Sequence, residues 1–273
     1  MTFSNERPFL LVGAGKMGGA MLSGWMAEGV DPSAIIVSDP GPPDEVREVL
    51  TKHGIKLVDR PPEDVQPGLV MIAVKPQLMD VVLPGLKSVV ASDTLVLSVA
   101  AGTPVSVFEN AFGRVPLVRA MPNTPAMVKR GITAAFPTAA VSEAQKETVT
   151  QLLSSIGQVV WLESEEQVDF VTGVSGSGPA YVFWMAECLA KAGEDVGLPA
   201  GMARQLAIAT VTGAGELMHQ SDIDPSTLRQ NVTSPNGTTA AALNVLMADD
   251  GLEPLVTAAV QAAVKRAGEL AGK

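Results

Sequence analysis

Cysteine is almost absent: among 273 residues there is one, Cys188. Neither an intrachain disulfide nor a four-ligand zinc site can be built from it, so no metal is expected and a reducing compartment is. Its neighbourhood, following the apolar run Tyr181-Val182-Phe183-Trp184-Met185, predicts a thiol buried in a helix. Histidine is nearly as scarce. His53 and His219 both fall at expected helix ends, and Tyr181, the one tyrosine, opens an apolar helix. All three read as surface or packing residues, which removes the usual proton donors for reduction of a ketone. Basic residues are short as well, with 19 Lys and Arg against 29 Asp and Glu and a net charge of −10. With no basic run, nucleic acid is excluded as a partner, whereas a small acidic ligand held by one local site is not. Long apolar runs are missing too. The start of the chain to Pro8 is polar, and the uncharged stretch from Phe170 to Ala186 is broken by Ser175-Gly176-Ser177-Gly178-Pro179. A cytoplasmic protein with no membrane span is expected.

What is present is a glycine pattern in a telling place. The apolar run Phe9-Leu10-Leu11-Val12 leads into Gly13-Ala14-Gly15-Lys16-Met17-Gly18, and an apolar segment from Ala20 to Ala27 follows. Gly13, Gly15 and Gly18 stand in the order G-x-G-x-x-G, with Ile35-Ile36-Val37 as the second strand the fingerprint requires. Gly13 then permits a tight turn, Gly15 a close approach of backbone to a pyrophosphate, and Gly18 close packing of helix on strand. Further strands are predicted at Ile55–Val58, Leu69–Val74, Leu95–Val99, Leu117–Ala120 and Gln158–Leu162, with a helix from Asp44 to His53. This alternation is that of a Rossmann-type, doubly wound parallel sheet. Three strands end in small residues or prolines, at Gly13–Gly18, Lys75–Gln77 and Ala100–Gly102, the edge on which such sheets bind ligands.

Past Leu162 strand-like runs vanish. Ala180–Ala192, Pro199–Gln220, Thr239–Ala248 and Pro254–Leu270 are rich in Ala, Leu and Met, the composition of packed helices. The expectation is a dinucleotide-binding domain over 1–162 and an all-helical substrate and dimerisation domain over 163–273. Within the second, Asn231-Val232-Thr233-Ser234-Pro235-Asn236-Gly237-Thr238-Thr239 forms a turn entering an Ala-rich helix. Exposed N–H groups at Gly237, Thr238 and Thr239 suit a carboxylate, although the turn taken alone favours a Ser/Thr helix cap without any ligand. A carbon–nitrogen double bond would need no strong acid here, because an imine nitrogen is basic enough to arrive protonated.

These residues resemble the pyrroline-5-carboxylate reductases, which make proline from 1-pyrroline-5-carboxylate with NAD(P)H. The resemblance runs from Phe9 nearly to the end: the glycine loop, Ala73-Val74-Lys75-Pro76-Gln77, Ala100-Ala101-Gly102, Met121-Pro122-Asn123-Thr124, Ser175–Tyr181 and Thr233–Thr239. It implies that Gly13, Ala14, Gly15, Lys16, Met17, Gly18, Ala73, Val74, Lys75, Pro76, Ala100, Ala101, Gly102 and Asn231 hold NADP or NAD. It implies that Gly237, Thr238 and Thr239 hold the substrate carboxylate, with the Thr239 hydroxyl as donor to the imine nitrogen and Glu165 lining the pocket. It also implies an interlocked homodimer, assembled further from dimers.

Two positions depart from the family pattern. Asn236 stands where the first glycine of S-P-G-G is usual, and asparagine tolerates the left-handed backbone. Asp39 stands where the family often has a neutral residue; an acid there binds a ribose 2′-hydroxyl and repels a 2′-phosphate, so NADH is expected to serve at least as well as NADPH. Arg60, nearby, is a candidate to reach the adenosine side. One alternative is a β-hydroxyacid dehydrogenase, whose G-x-x-G-x-G-x-x-x-K stretch is matched by Gly173, Gly176 and Gly178 but carries Val182 in place of the lysine. The other is a catalytically silent NAD(P)-binding dimer, which has no use for a carboxylate pocket.

Overall fold

The computed structural model describes Ser4 and residues 6–272. It opens with β1 (Phe9–Val12), α1 (Lys16–Ala27), β2 (Ile35–Ser38), α2 (Asp44–His53), β3 (Lys56–Val58) and β4 (Leu69–Ile72). Then come α3 (Met79–Leu86), β5 (Leu95–Ser98), α4 (Val105–Phe112), β6 (Leu117–Met121), β7 (Gly131–Pro137), α5 (Glu143–Ser154) and β8 (Gly157–Trp161). The rest is helical: α6 (Glu166–Val171), α7 (Gly178–Asp195), α8 (Ala200–Gln220), α9 (Pro225–Asn231), α10 (Thr238–Leu246) and α11 (Leu252–Leu270).

The strands form one sheet in the order β3-β2-β1-β4-β5-β6-β7-β8. Strands β1 to β6 are parallel throughout, in the doubly wound order 3-2-1-4-5-6. Every residue of β1, β2, β4 and β5 is buried, as strands covered by helices on both faces must be. Alternate residues point to opposite layers. Phe9 and Leu11 pack with Met21, Leu22 and Trp25 of α1 and with Leu152 and Leu153 of α5. Leu10 and Val12 pack with Leu83 and Leu86 of α3 and Phe108 of α4. Trp25 is fully buried, stacks obliquely on Phe9 at 4.7 Å, and donates its indole N–H to the Leu152 carbonyl at 2.8 Å. Helix α5 starts on a capping box, Ser142 and Gln145 each bonding the other's backbone N–H.

The sheet departs from the all-parallel expectation at β7, which runs antiparallel to β6; β8 then pairs parallel with β7. Asn123 holds this corner together. Its side chain accepts from Ile132 N at 3.0 Å and donates to the Ser175 carbonyl at 3.1 Å, so Met121-Pro122-Asn123-Thr124 has structural work here.

By internal contacts the chain divides into two compact units, one running to Gly176 and resuming at Ala263, the other Ser177–Ala262. The division falls later than the change of sequence texture at Leu162, because α6 packs on β6 and β7. In the second unit, α7 and α8 pack along one another, with Gly193 against Ala203. Little else there is buried. Helix α7 has no buried residue over its 18 positions, so Cys188 is exposed, correcting the buried thiol read from sequence. The apolar setting was read correctly, but in the single chain the thiol stays exposed.

Candidate active site

The three loops singled out in the sequence follow β1, β4 and β5, which are adjacent and parallel, so all lie on one edge of the sheet. The strand order reverses between β1 and β4, and a crevice for a ligand opens at such a point. Gly13 has φ +88° and donates to the Ser38 carbonyl at 2.9 Å. A Cβ there would meet Val74 at 2.7 Å and the Ala73 carbonyl group at 2.9 Å, and one at Gly18 would collide with the Gly13 carbonyl oxygen. Gly13 and Gly18 are therefore demanded by the protein's own packing.

Gly15 is different. A Cβ there would meet no protein atom within 4 Å, and its φ is an ordinary −70°. The chain's own packing makes no demand for glycine at this position. Gly15 is also the N-cap of α1, and no side chain caps the helix, so its first-turn N–H groups are left without a capping side chain. These features fit a dinucleotide pyrophosphate. Gly15→Ala is expected to fold, losing about 1 kcal/mol or less as a poorer N-cap. It should weaken dinucleotide binding by roughly 5- to 150-fold, the cost of forcing a methyl into occupied space. Thermal unfolding and titration calorimetry separate the two effects.

Of the other residues proposed for the cofactor, Ala14 is buried and its N–H goes to the Asp39 carboxylate at 2.7 Å. Lys16 and Met17 open α1. Ala73 and Val74 lie half-buried after β4, and exposed Lys75 and Pro76 lead into a short 3-10 turn, Pro76–Leu78. Ala100, Ala101 and Gly102 follow β5, with Gly102 at φ +66°.

Glu165 falls in this unit, not among the helices of the second. Its Oε1 accepts from Val105 N, at the start of α4, at 2.7 Å and from Arg119 Nη1 at 2.9 Å. Arg119 is 2% exposed, and its Nη2 lies 3.5 Å from Asp169 Oδ1. Sequence reasoning passed over Arg119. The signal was available: a cation inside Leu117-Val118-Arg119-Ala120, otherwise a fully buried run, must find acids.

In the second unit, Asn231 ends α9 and is exposed. Gly237 N donates to the Ser234 carbonyl at 3.0 Å, closing a turn in which Asn236 has φ +58°. Proline before a left-handed residue is the type II pattern, and asparagine fills the position glycine usually takes. Asn236→Ala should cost about 1 kcal/mol and Asn236→Gly nothing, read from urea unfolding midpoints. Gly237 is the N-cap of α10, and no side chain caps the helix. Thr238 and Thr239 are the first helical residues, not caps.

Among the described residues no group of three His, Cys, Asp or Glu is placed to hold a metal ion, and no helix is long and apolar enough to cross a membrane. Val182, in the place of a β-hydroxyacid dehydrogenase's lysine, is an exposed apolar residue of α7.

Comparison with known proteins agrees with this geometry. Residues 165–270 match the family described as pyrroline-5-carboxylate reductase dimerisation, and residues 9–102 the family described as NADP oxidoreductase, coenzyme F420-dependent. A pyrroline-5-carboxylate reductase of Pseudomonas aeruginosa is 40% identical over 262 residues, covering 95% of both chains. That of Pisum sativum is 36% identical, covering 95% of this chain and 94% of the relative. Among solved structures, the reductase of Coxiella burnetii superposes with a TM-score of 0.89 at 34% identity, over 97% of this chain and 98% of that one. The Plasmodium falciparum enzyme, solved with NADP bound, gives 0.80 at 25% identity over 98% and 99%. The chain belongs to the pyrroline-5-carboxylate reductase family.

Proposed function

We propose that this chain reduces 1-pyrroline-5-carboxylate to proline, with NADPH or NADH as hydride donor. The observation that carries the proposal is the start of α10. A helix whose first turn has no side-chain cap carries a hydroxyl, Thr239, beside its free N–H groups. From Val232 to Met247 no residue has an ionisable side chain. Such a place holds an anion and offers a hydroxyl, but it has no acid or base to lend. A cyclic imine bearing a carboxylate asks for nothing more, since it brings its own proton.

The roles follow. The N–H groups of Thr238 and Thr239 grip the substrate carboxylate, helped by the positive end of the helix, while the Gly237 N–H is spent closing the turn on the Ser234 carbonyl. The Thr239 hydroxyl donates to the ring nitrogen as its lone pair develops, and Glu165 lines the pocket. Gly15 to Gly18 hold the pyrophosphate, the loops at Ala73–Pro76 and Ala100–Gly102 lie along the cofactor, and Asn231 contacts it. The dinucleotide supplies the hydride.

The active form is a homodimer built on the helical unit and assembled further from dimers, in the cytoplasm. Phe183, Trp184, Val245 and Leu255 are each at least 63% exposed in the single chain, far more apolar surface than a soluble monomer carries. The test of the activity is the loss of NAD(P)H absorbance on adding 1-pyrroline-5-carboxylate, run beside 1-pyrroline. The carboxylate-bearing imine should turn over with the higher kcat/KM; equal turnover of the two would remove the carboxylate grip from the proposal.

A further inference from the structure

The loop after β2, where the adenosine ribose of a dinucleotide lies in this fold, has an unusual supply of donors. Asp39 N donates to the Val58 carbonyl at 3.0 Å. Pro40, Pro42 and Pro43 have no N–H. Gly41 N donates to Asp39 Oδ1 at 2.8 Å, and across the crevice mouth Ala14 N donates to Asp39 Oδ2 at 2.7 Å. From Asp39 to Pro43, every backbone donor is already taken. The side chains that follow, Asp44 and Glu45, are acids. Of the cations on adjoining elements, Arg47 donates its Nε to the Pro42 carbonyl at 3.0 Å, and Arg60, beyond β3, is exposed.

We propose that Asp39, locked between the glycine loop and its own turn, makes this chain select NADH over NADPH. The proposal rests on the dinucleotide reading above. Each carboxylate oxygen is held by one backbone N–H, so the charge cannot swing aside to admit a phosphate. A carboxylate has about four acceptor positions, and two remain for ribose hydroxyls. A 2′-hydroxyl donates to them. A 2′-phosphate has no proton to give, brings like charge against a fixed carboxylate, and finds no unused backbone donor in the turn to compensate. The preference is therefore built into the backbone hydrogen bonds as well as into the identity of one side chain.

The test uses binding rather than turnover: titration calorimetry of the full chain with ADP-ribose and with 2′-phospho-ADP-ribose at one fixed salt concentration. ADP-ribose should bind tighter by on the order of 30-fold. Asp39→Asn keeps an acceptor for the backbone and removes the charge; it should narrow the ratio to about 3-fold, chiefly by improving the phosphorylated ligand. Asp39→Ser should do the same, with thermal unfolding of the free proteins checking that both variants fold. Equal binding, or a preference for 2′-phospho-ADP-ribose, in the wild type overturns the proposal. So does an unchanged ratio in both folded Asp39 variants. If neither ligand binds the wild type, the dinucleotide reading itself falls, a distinct outcome.

Discussion

Thr239→Val is expected to lower kcat by about 100- to 1,000-fold, the range for loss of one positioned hydrogen-bond donor, while the affinity for the dinucleotide changes less than about 3-fold. The reason lies in the composition around α10. Between Val232 and Met247 there is no ionisable side chain to act as an acid in its place. Valine keeps the shape of threonine, and no side chain caps α10, so the helix start survives the change. Thr239→Ser restores the hydroxyl and should recover most of the turnover. Single-turnover kinetics with the dinucleotide pre-bound make the measurement. A kcat within about 3-fold of wild type would remove Thr239 from the chemistry and leave it with the carboxylate alone.

Arg119→Ala should destabilise the chain by about 3–5 kcal/mol, the cost of removing one partner from a buried ion pair. The guanidinium is 2% exposed and serves two carboxylates, Glu165 at 2.9 Å and Asp169 at 3.5 Å. Asp169 is itself 6% exposed, so the substitution removes a nearby cation from a buried carboxylate. The pair is not ideal, since the Arg119 Nε has no hydrogen-bond partner among the described residues. Its removal is costly because a buried cation serving both acids is lost, rather than because either bond is strong. Arg119→Lys should recover only part of the loss, one ammonium being unable to fork toward two acids. Urea unfolding reads the effect as a lower midpoint at unchanged slope. Because Glu165 also bonds the first N–H of α4, the same substitution loosens the link between β6, α6 and the loop ending at Gly102.

Much of the architecture is written in short-range patterns. Strands β1, β2, β4 and β5 are legible because each is an uninterrupted buried run, and the glycine loop because turn, strand and helix signals coincide there. Strand β7 is not, since Gly-Ile-Thr-Ala-Ala-Phe-Pro has few large apolar residues and ends in proline. It becomes a strand through pairing with β6 and β8, a tertiary effect. The bond from Glu165 to Val105 spans 60 residues, and no local pattern encodes it. Cys188 shows the opposite limit. The apolar texture of α7 was plain, but texture alone does not say whether a helix is buried by its own chain or left bare for another.

The most direct measurement of the central claim follows the hydride itself. Dinucleotide carrying deuterium at the transferring C4 position is incubated with the enzyme and 1-pyrroline-5-carboxylate, and the product is examined by mass spectrometry and NMR. The account predicts proline with one deuterium, at C5, formed in step with dinucleotide oxidation. Dinucleotide oxidised without labelled proline, or no reaction by a folded, dinucleotide-binding protein, would contradict it.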